Sequence, residues 1–175
     1  MQHQAKWRLK RTLKRKPSFR PLGDEDIKFL WAAYRKGALE SLGERFNEGL
    51  EPKEFKDAIG LEMVENYDFG WTLLAPDPVG LVLAFQSHRN PERSPFLVVG
   101  DIVWFPWSSP RQRVEAAVNF FNEARREAAF IEYARKEHRK FFEMIAKHGI
   151  MRRVGTSHNV YPREATTIFE TREWH

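Results

Sequence analysis

The hydrophobic residues in the first third of the chain recur with helical spacing. Ile27, Leu30, Trp31 and Tyr34 fall on one face of a helix. This helix follows a short strand and a turn, and Asp24 is its expected N-cap. The stretch EPKEFKDAIGLEMVEN predicts a second helix, because its proline suits the first helical turn.

From residue 67 onwards the hydrophobic period becomes that of strands. Tyr67, Phe69, Trp71 and Leu73 alternate with polar or small residues, which predicts a strand with one buried face. The stretches VGLVLAFQSH and FLVVGDIVWFP are more continuously apolar. They predict two further strands, the second with a bulge at Gly100.

The rest of the chain predicts two helix–strand units and a final strand. Residues 114–126 have a helical pattern, and the apolar stretch AAFIEYA predicts a central strand. KEHRKFFEMIAKHG predicts a helix that ends with Gly149 as a left-handed C′ residue. IMRRVGTSHNV and REATTIFETRE predict the two closing strands.

The predicted order of elements is β-α-α-β-β-β-α-β-α-β-β. Hairpin-linked strands combined with two helical crossovers make a mixed sheet. We therefore expect an α/β (α+β) fold with a mixed, mostly antiparallel twisted sheet of about seven strands and about four helices. The 175 residues suffice for one domain, which we place at residues 17–175, after an N-terminal arm of residues 1–16.

The composition is typical of a globular protein, with 42% hydrophobic and 14% aromatic residues. The absence of cysteine excludes a disulfide framework and a thiolate zinc site. His138 and His148 lie ten residues apart in the same predicted helix, and His158 lies in a predicted strand, so no two form the i,i+4 pair of a metal site and we expect none. No apolar run approaches the roughly 20 residues that span a bilayer, and the first residues lack the apolar core of a secretory signal. We expect neither membrane association nor secretion through a signal peptide.

Positive charge is concentrated in the N-terminal arm. Residues 1–20 carry eight Lys or Arg and no acid, which exceeds the net charge of +5, so the rest of the chain is slightly acidic. We expect the arm to bind a nucleic acid or an acidic protein surface, within a larger assembly, with a solvated charged tail as the alternative. The residues expected to make these contacts are Lys6, Arg8, Lys10, Arg11, Lys14, Arg15 and Lys16.

Three stretches carry a family resemblance: SFRPLGDED, DIVWFPWSSPRQRVEAAVNFF and FFEMIAKHGIMRRVGT. Together with the order of elements, they resemble the opening strand, the cofactor-binding strand, loop and helix, and the last helix and strand of the GNAT superfamily. The resemblance covers about residues 17–172 and implies the fold of the acetyl-CoA-dependent N-acetyltransferases. A shared fold does not by itself establish the activity.

The family's pyrophosphate-loop signature, Q/R-x-x-G-x-G/A, fits this chain in two registers. We prefer the register that starts at Gln112, in which Glu115 and Ala117 stand at the two glycine positions. The other register starts at Arg111, and in both registers the first glycine is missing. The residues that the resemblance implies near the pyrophosphate are Arg111, Gln112, Arg113 and Ala117.

Two departures from the family pattern count against acetyl transfer. Glu115 would bring a carboxylate to the site of a pyrophosphate, where like charges repel. The family often has a tyrosine acid four residues before the last helix's glycine, where this chain has Ile145. Asp101 is the candidate general base, with an ordinary strand-end carboxylate as the alternative.

Two functions remain open from the sequence. The first is a GNAT-fold protein without catalysis, which binds or assembles through its arm, for example in a phage virion. We then expect no cofactor and a cytoplasmic or virion-associated location. The second is an active N-acetyltransferase that uses acetyl-CoA and an unknown amine.

Overall fold

Seven strands and four α-helices follow one another in the computed structural model, which describes residues 15–86, 96–161 and 163–173. The strands are β1 (Phe19–Pro21), β2 (Phe69–Leu74), β3 (Pro78–Gln86), β4 (Phe96–Trp104), β5 (Ala129–Ala134), β6 (Met151–Tyr161) and β7 (Glu164–Thr171). The helices are α1 (Ile27–Tyr34), α2 (Pro52–Asn66), α3 (Pro110–Ala124) and α4 (Arg139–Lys147). Short 3-10 helices cover Asp24–Asp26, Glu40–Leu42 and Glu44–Asn47.

The seven strands form one sheet in the order β1-β2-β3-β4-β5-β7-β6. Every neighbouring pair is antiparallel except β4 and β5, which are parallel. The predicted order of elements and the mixed, mostly antiparallel sheet are therefore confirmed. In the described part of the chain, no helix is both long and apolar enough to cross a membrane.

The sheet has a hydrophobic core on each face. Phe120 and Phe121 of α3 pack on one face with Trp71 and Phe130, and all four are completely buried. The opposite face is covered by α1 and α2, whose buried residues meet inward-facing residues of β3 and β4. The sheet is therefore a middle layer between two pairs of helices, an arrangement that buries both of its faces.

Helix α3 begins earlier than the sequence pattern indicates. We expected the helix over residues 114–126, whereas it spans Pro110–Ala124. The reason is a capping box, in which Ser109 accepts from the Gln112 amide and the Gln112 side chain accepts from the Ser109 amide. Pro110 occupies the first helical position, where a missing N–H costs nothing.

The expected N-cap of the first helix is also wrong. Asp24 begins a 3-10 turn that is capped by Gly23, and α1 begins only at Ile27. The side chain that organises this segment is Asp26, which is completely buried. Its carboxylate accepts the Gly23 amide at 3.0 Å and two guanidinium bonds from Arg20, at 2.7 and 3.1 Å.

We expect Asp26→Ala to lower the free energy of unfolding by about 3 kcal/mol, because it leaves a largely buried guanidinium without its main partner. Urea denaturation followed by tryptophan fluorescence measures this loss. Asp57→Ala removes an exposed carboxylate from α2 and is the matched control, with an expected change within about 0.5 kcal/mol. Equal effects of the two substitutions would contradict a structural role for the pair of Asp26 and Arg20.

Candidate functional site

The two parallel strands at the centre of the sheet separate after a short paired stretch. Only Phe96, Leu97 and Val98 of β4 pair with β5, opposite residues 129–131. Beyond that point, β4 continues beside β3 and β5 continues beside β7. A V-shaped cleft therefore opens between residues 99–104 of β4 and residues 132–134 of β5.

A bulge lies where the cleft begins. The pairing of β4 with β3 skips Gly100, as expected from the sequence. A Cβ atom at Gly100 would lie 2.7 Å from Tyr67 Cε1, so only glycine lets the Tyr67 ring pack here. The bulge also reverses the alternation of side chains and directs Asp101 toward the face covered by α1 and α2.

Asp101, the candidate base, lies in this cleft. Its Oδ2 atom accepts from the Ser41 hydroxyl at 3.4 Å, and the Ile102 amide donates to the same carboxylate. Burial raises the pKa of the Asp101 carboxyl despite these bonds and the nearby His138. The pKa of the Tyr67 hydroxyl is also raised, first by burial and then by the Asp101 charge.

Glu132 on β5 is the second carboxylate of the cleft. Burial raises its pKa from 4.5 to about 8, and the negative charge of Asp101 adds to the shift. Its buried Oε2 atom has no hydrogen-bond partner among the described residues. With a pKa of about 8, Glu132 is therefore mostly a neutral carboxylic acid at pH 7.

Glu132 is not among the site residues predicted from the sequence. One signal could have identified it, because Glu132 is the single charged residue in the apolar strand AAFIEYA. A charge at such a position is rarely buried without a partner. Its nearness to Asp101 could not be inferred, since the two residues belong to strands that separate at this point.

The raised pKa of Glu132 makes the stability of the fold dependent on pH. The folded chain binds an additional proton between the unfolded pKa of 4.5 and the folded pKa of about 8. The proton on Glu132 therefore stabilises the folded chain fully below the unfolded pKa of 4.5. This stabilisation is lost as the pH rises through the folded pKa of about 8. We expect Glu132→Gln to become more stable relative to the wild type between about pH 5 and about pH 8.

Urea denaturation of both proteins at these two pH values measures the change. The control is Glu44→Gln, which removes an exposed carboxylate from a 3-10 helix. The free energy of unfolding of Glu132→Gln could instead differ from that of the wild type by the same amount at both pH values. The Glu132 carboxyl group would then not be buried and neutral as described.

The N-terminus of α3, where the resemblance implies a pyrophosphate, is closed by its own side chains. The Ser109 amide donates to Gln112 Oε1 at 2.9 Å, and the Gln112 amide donates to Ser109 Oγ at 3.2 Å. The Ser108 and Arg113 amides donate to backbone carbonyls, each at 3.0 Å. Pro110 has no amide hydrogen. Within residues 108–113, Arg111 therefore has the one amide N–H group that none of these hydrogen bonds uses.

The four residues implied near a pyrophosphate all lie in the first two turns of α3. Gln112 caps the helix, and the Arg113 Nε atom donates to Ser108 Oγ at 2.9 Å. Ala117 is completely buried in the core, while Arg111 is exposed. Their contact with a cofactor stays a prediction.

The structure also describes the position of the family's tyrosine acid and two of the predicted arm residues. Ile145 is completely buried in the core under α4. No cluster of three metal-binding side chains exists in residues 15–86, 96–161 and 163–173.

Two of the predicted arm contacts pair with acidic residues of the body. Arg15 pairs with Glu25, and Lys16 Nζ lies 3.7 Å from Glu127 Oε1. The other predicted arm contacts, Lys6, Arg8, Lys10, Arg11 and Lys14, lie outside the described residues.

Comparison with known proteins identifies the fold. No protein-family model and no curated protein sequence matches the chain. Among solved structures, the aminoglycoside N-acetyltransferase AAC(6')-Ib11 superposes with a TM-score of 0.61 at 10% identity, over 89% of this chain and 96% of that one. A GNAT-family acetyltransferase from Bacillus cereus gives a TM-score of 0.56 at 9% identity, over 90% and 97%.

A third similar structure is a chimera of the spermidine N-acetyltransferase SpeG from Vibrio cholerae and hSSAT. Its TM-score is 0.58 at 11% identity, over 88% of this chain and 93% of that one. At such low identities, structural similarity establishes the fold and leaves the activity open. The chain has the GNAT fold, as the sequence resemblance implies.

Proposed function

We propose that this GNAT-fold chain is a binding or assembly component that does not depend on acetyl transfer. The observation that supports this proposal most strongly is the closed N-terminus of α3. A helix N-terminus binds phosphate through amides that have no other partner. Here the Ser109 and Gln112 side chains already satisfy two of those amides, and Pro110 has no amide hydrogen to offer.

A pyrophosphate would have to compete with these internal bonds. Opening a serine cap costs about 1 kcal/mol. Arg113 is held by the Ser108 hydroxyl, and exposed Glu115 lies one turn into the helix, where its charge repels an anion. The donor groups at this site therefore do not fit the pyrophosphate of coenzyme A, and we assign no reaction to it.

The partner in this proposal is a nucleic acid or an acidic protein surface, in the cytoplasm or in a virion. Its support is the charge distribution, since the basic arm precedes a slightly acidic body. Lys16 joins the arm to the body at Glu127, in the turn that follows α3. Polyanion binding of this kind weakens steeply as salt concentration rises.

The cleft between β4 and β5 favours a second candidate function, acyl transfer to an amine. That reaction needs a base that removes a proton from the ammonium and an acid that protonates the leaving group. Asp101 and Glu132 are two neighbouring carboxyl groups with raised pKa values, so the first could act as the base and the second as the acid.

Calorimetric titration of acetyl-CoA into the full chain separates the two functions. We expect no saturable binding beyond that of inorganic pyrophosphate, which controls for attraction of any anion to the basic arm. We also expect the same result for the double variant Arg111→Ala/Arg113→Ala, because these side chains do not form a phosphate site.

Saturable micromolar binding to the wild type that is lost in the double variant would overturn the proposal and favour the second candidate. That candidate then requires acetyl transfer to an amine such as spermidine or an aminoglycoside. In that case Asp101→Asn and Glu132→Gln would each lower the rate by about 100-fold or more, whereas Glu44→Gln would not.

A further inference from the structure

An arginine-lined groove lies at the end of the sheet opposite the cleft. Phe96 and Ala129, at the starts of β4 and β5, form part of its floor. Its volume is about 910 Å³. We call it the arginine groove and define it by its four basic residues, Arg125, Arg126, Arg152 and Arg172.

We propose that the arginine groove binds the phosphate backbone of a nucleic acid. This inference rests on the proposed function and names the partner of that binding component. The four guanidinium groups come from the end of α3, the start of β6 and the chain after β7. Segments far apart in sequence thus bring positive charge to one concave surface.

Fixed backbone contacts shape the groove. The Arg172 amide donates to the Ile150 carbonyl at 2.8 Å, which ties the end of β7 to the start of β6. Arg125 Nη1 donates to the Arg172 carbonyl at 3.4 Å and links this wall to α3. The groove therefore exists before a ligand arrives, and binding needs little rearrangement of its backbone.

The ion pair of Arg152 within the groove is weak enough to yield to phosphate. Arg152 Nη2 lies 3.9 Å from Glu170 Oε2, and the Arg152 side chain is 62% exposed. Exposed pairs at such distances contribute little stability, whereas a guanidinium can bind a phosphate with two parallel hydrogen bonds.

The chemistry of the lining favours a nucleic acid over a protein. All four of its cations are arginines, which suit bidentate binding of phosphate better than lysine. Two carboxylates, Glu170 and Glu173, leave the groove an excess of positive charge. The centre of a protein interface is depleted of charged residues, whereas nucleic-acid interfaces are polar and basic.

The position of the arm supports the same partner. Lys16 contacts Glu127, the residue that follows Arg126, so the arm meets the body beside the arginine groove. The five basic residues at positions 6–14 therefore precede a surface that is itself basic. One polyanion that lies along the groove would also be attracted by the arm.

The test is the fluorescence anisotropy of a labelled DNA duplex titrated with the full chain at several salt concentrations. The groove variant is Arg152→Ala/Arg172→Ala. We expect it to raise the dissociation constant about tenfold or more, and to reduce the slope of log K against log salt by about one to two. The control variant, Arg35→Ala/Arg45→Ala, removes the same charge from two exposed positions, one directly after α1 and one in the 3-10 helix Glu44–Asn47. It should raise the dissociation constant less than about threefold, because it changes only the net charge.

Thermal unfolding by circular dichroism distinguishes a binding role from a structural one. If the groove variant lost stability but kept its DNA affinity, the arginines would serve only the adjacent helix end, and the proposal would be overturned. Equal losses in groove and control variants would also overturn it, since they would reflect net charge alone. Binding of polyglutamate but not DNA, lost in the groove variant, would replace the nucleic acid with an acidic protein.

This measurement is independent of the one with acetyl-CoA. The arginine groove and the N-terminus of α3 lie at opposite ends of that helix, so the variants of one site leave the other intact. Saturable binding of acetyl-CoA would overturn the proposed lack of transferase function, and it would leave the DNA affinities of the wild type and the groove variant unchanged. If the groove variant bound DNA as tightly as the wild type, only the inference about the groove would be overturned.

Discussion

The three-residue parallel pairing between β4 and β5 is the constraint on which the rest of the structure depends. It closes the sheet at one end, where it brings together strand ends that line the arginine groove. At the other end the two strands separate, and Asp101 and Glu132 occupy the cleft. Gly100 lies near this point of separation, where the close Tyr67 ring leaves no room for a side chain.

The cleft and the α3 N-terminus differ in what their polar groups can still bind. In the cleft, a buried carboxyl oxygen of Glu132 lacks a partner among the described residues, so the site retains unused binding capacity. At the N-terminus of α3, the amides of Ser108, Ser109, Gln112 and Arg113 already donate to acceptors within the chain. The cleft therefore has a buried polar atom without a described partner, whereas the amides at the start of α3 are engaged in internal hydrogen bonds.

The sequence predicted the architecture well, because hydrophobic period and turn residues are local properties. The bulge at Gly100 and the left-handed Gly149, whose φ is +76°, followed from such local signals. Helix α3 starts four residues before its predicted start, because Ser109, Pro110 and Gln112 form a capping box and a first helical turn. This capping box is also a local pattern, although it precedes the hydrophobic period of the helix.

The site was predicted only in part, because its polar groups meet through non-local contacts. Asp101 was predicted as the candidate base, but its electrostatic coupling to Glu132 depends on where two strands separate. Similarly, Asp26 is a surface-type residue by sequence and becomes buried only because Arg20 reaches it from β1. The arginine groove joins residues from three distant segments, which no local pattern reveals.

The most direct test of the closed α3 N-terminus is a nuclear magnetic resonance titration of the labelled chain with coenzyme A. If the cap stays closed, the amide signals of Ser109, Gln112 and Arg113 keep their positions, because their hydrogen bonds are internal. Saturable shifts of these three amides would show instead that the cap opens to receive a phosphate.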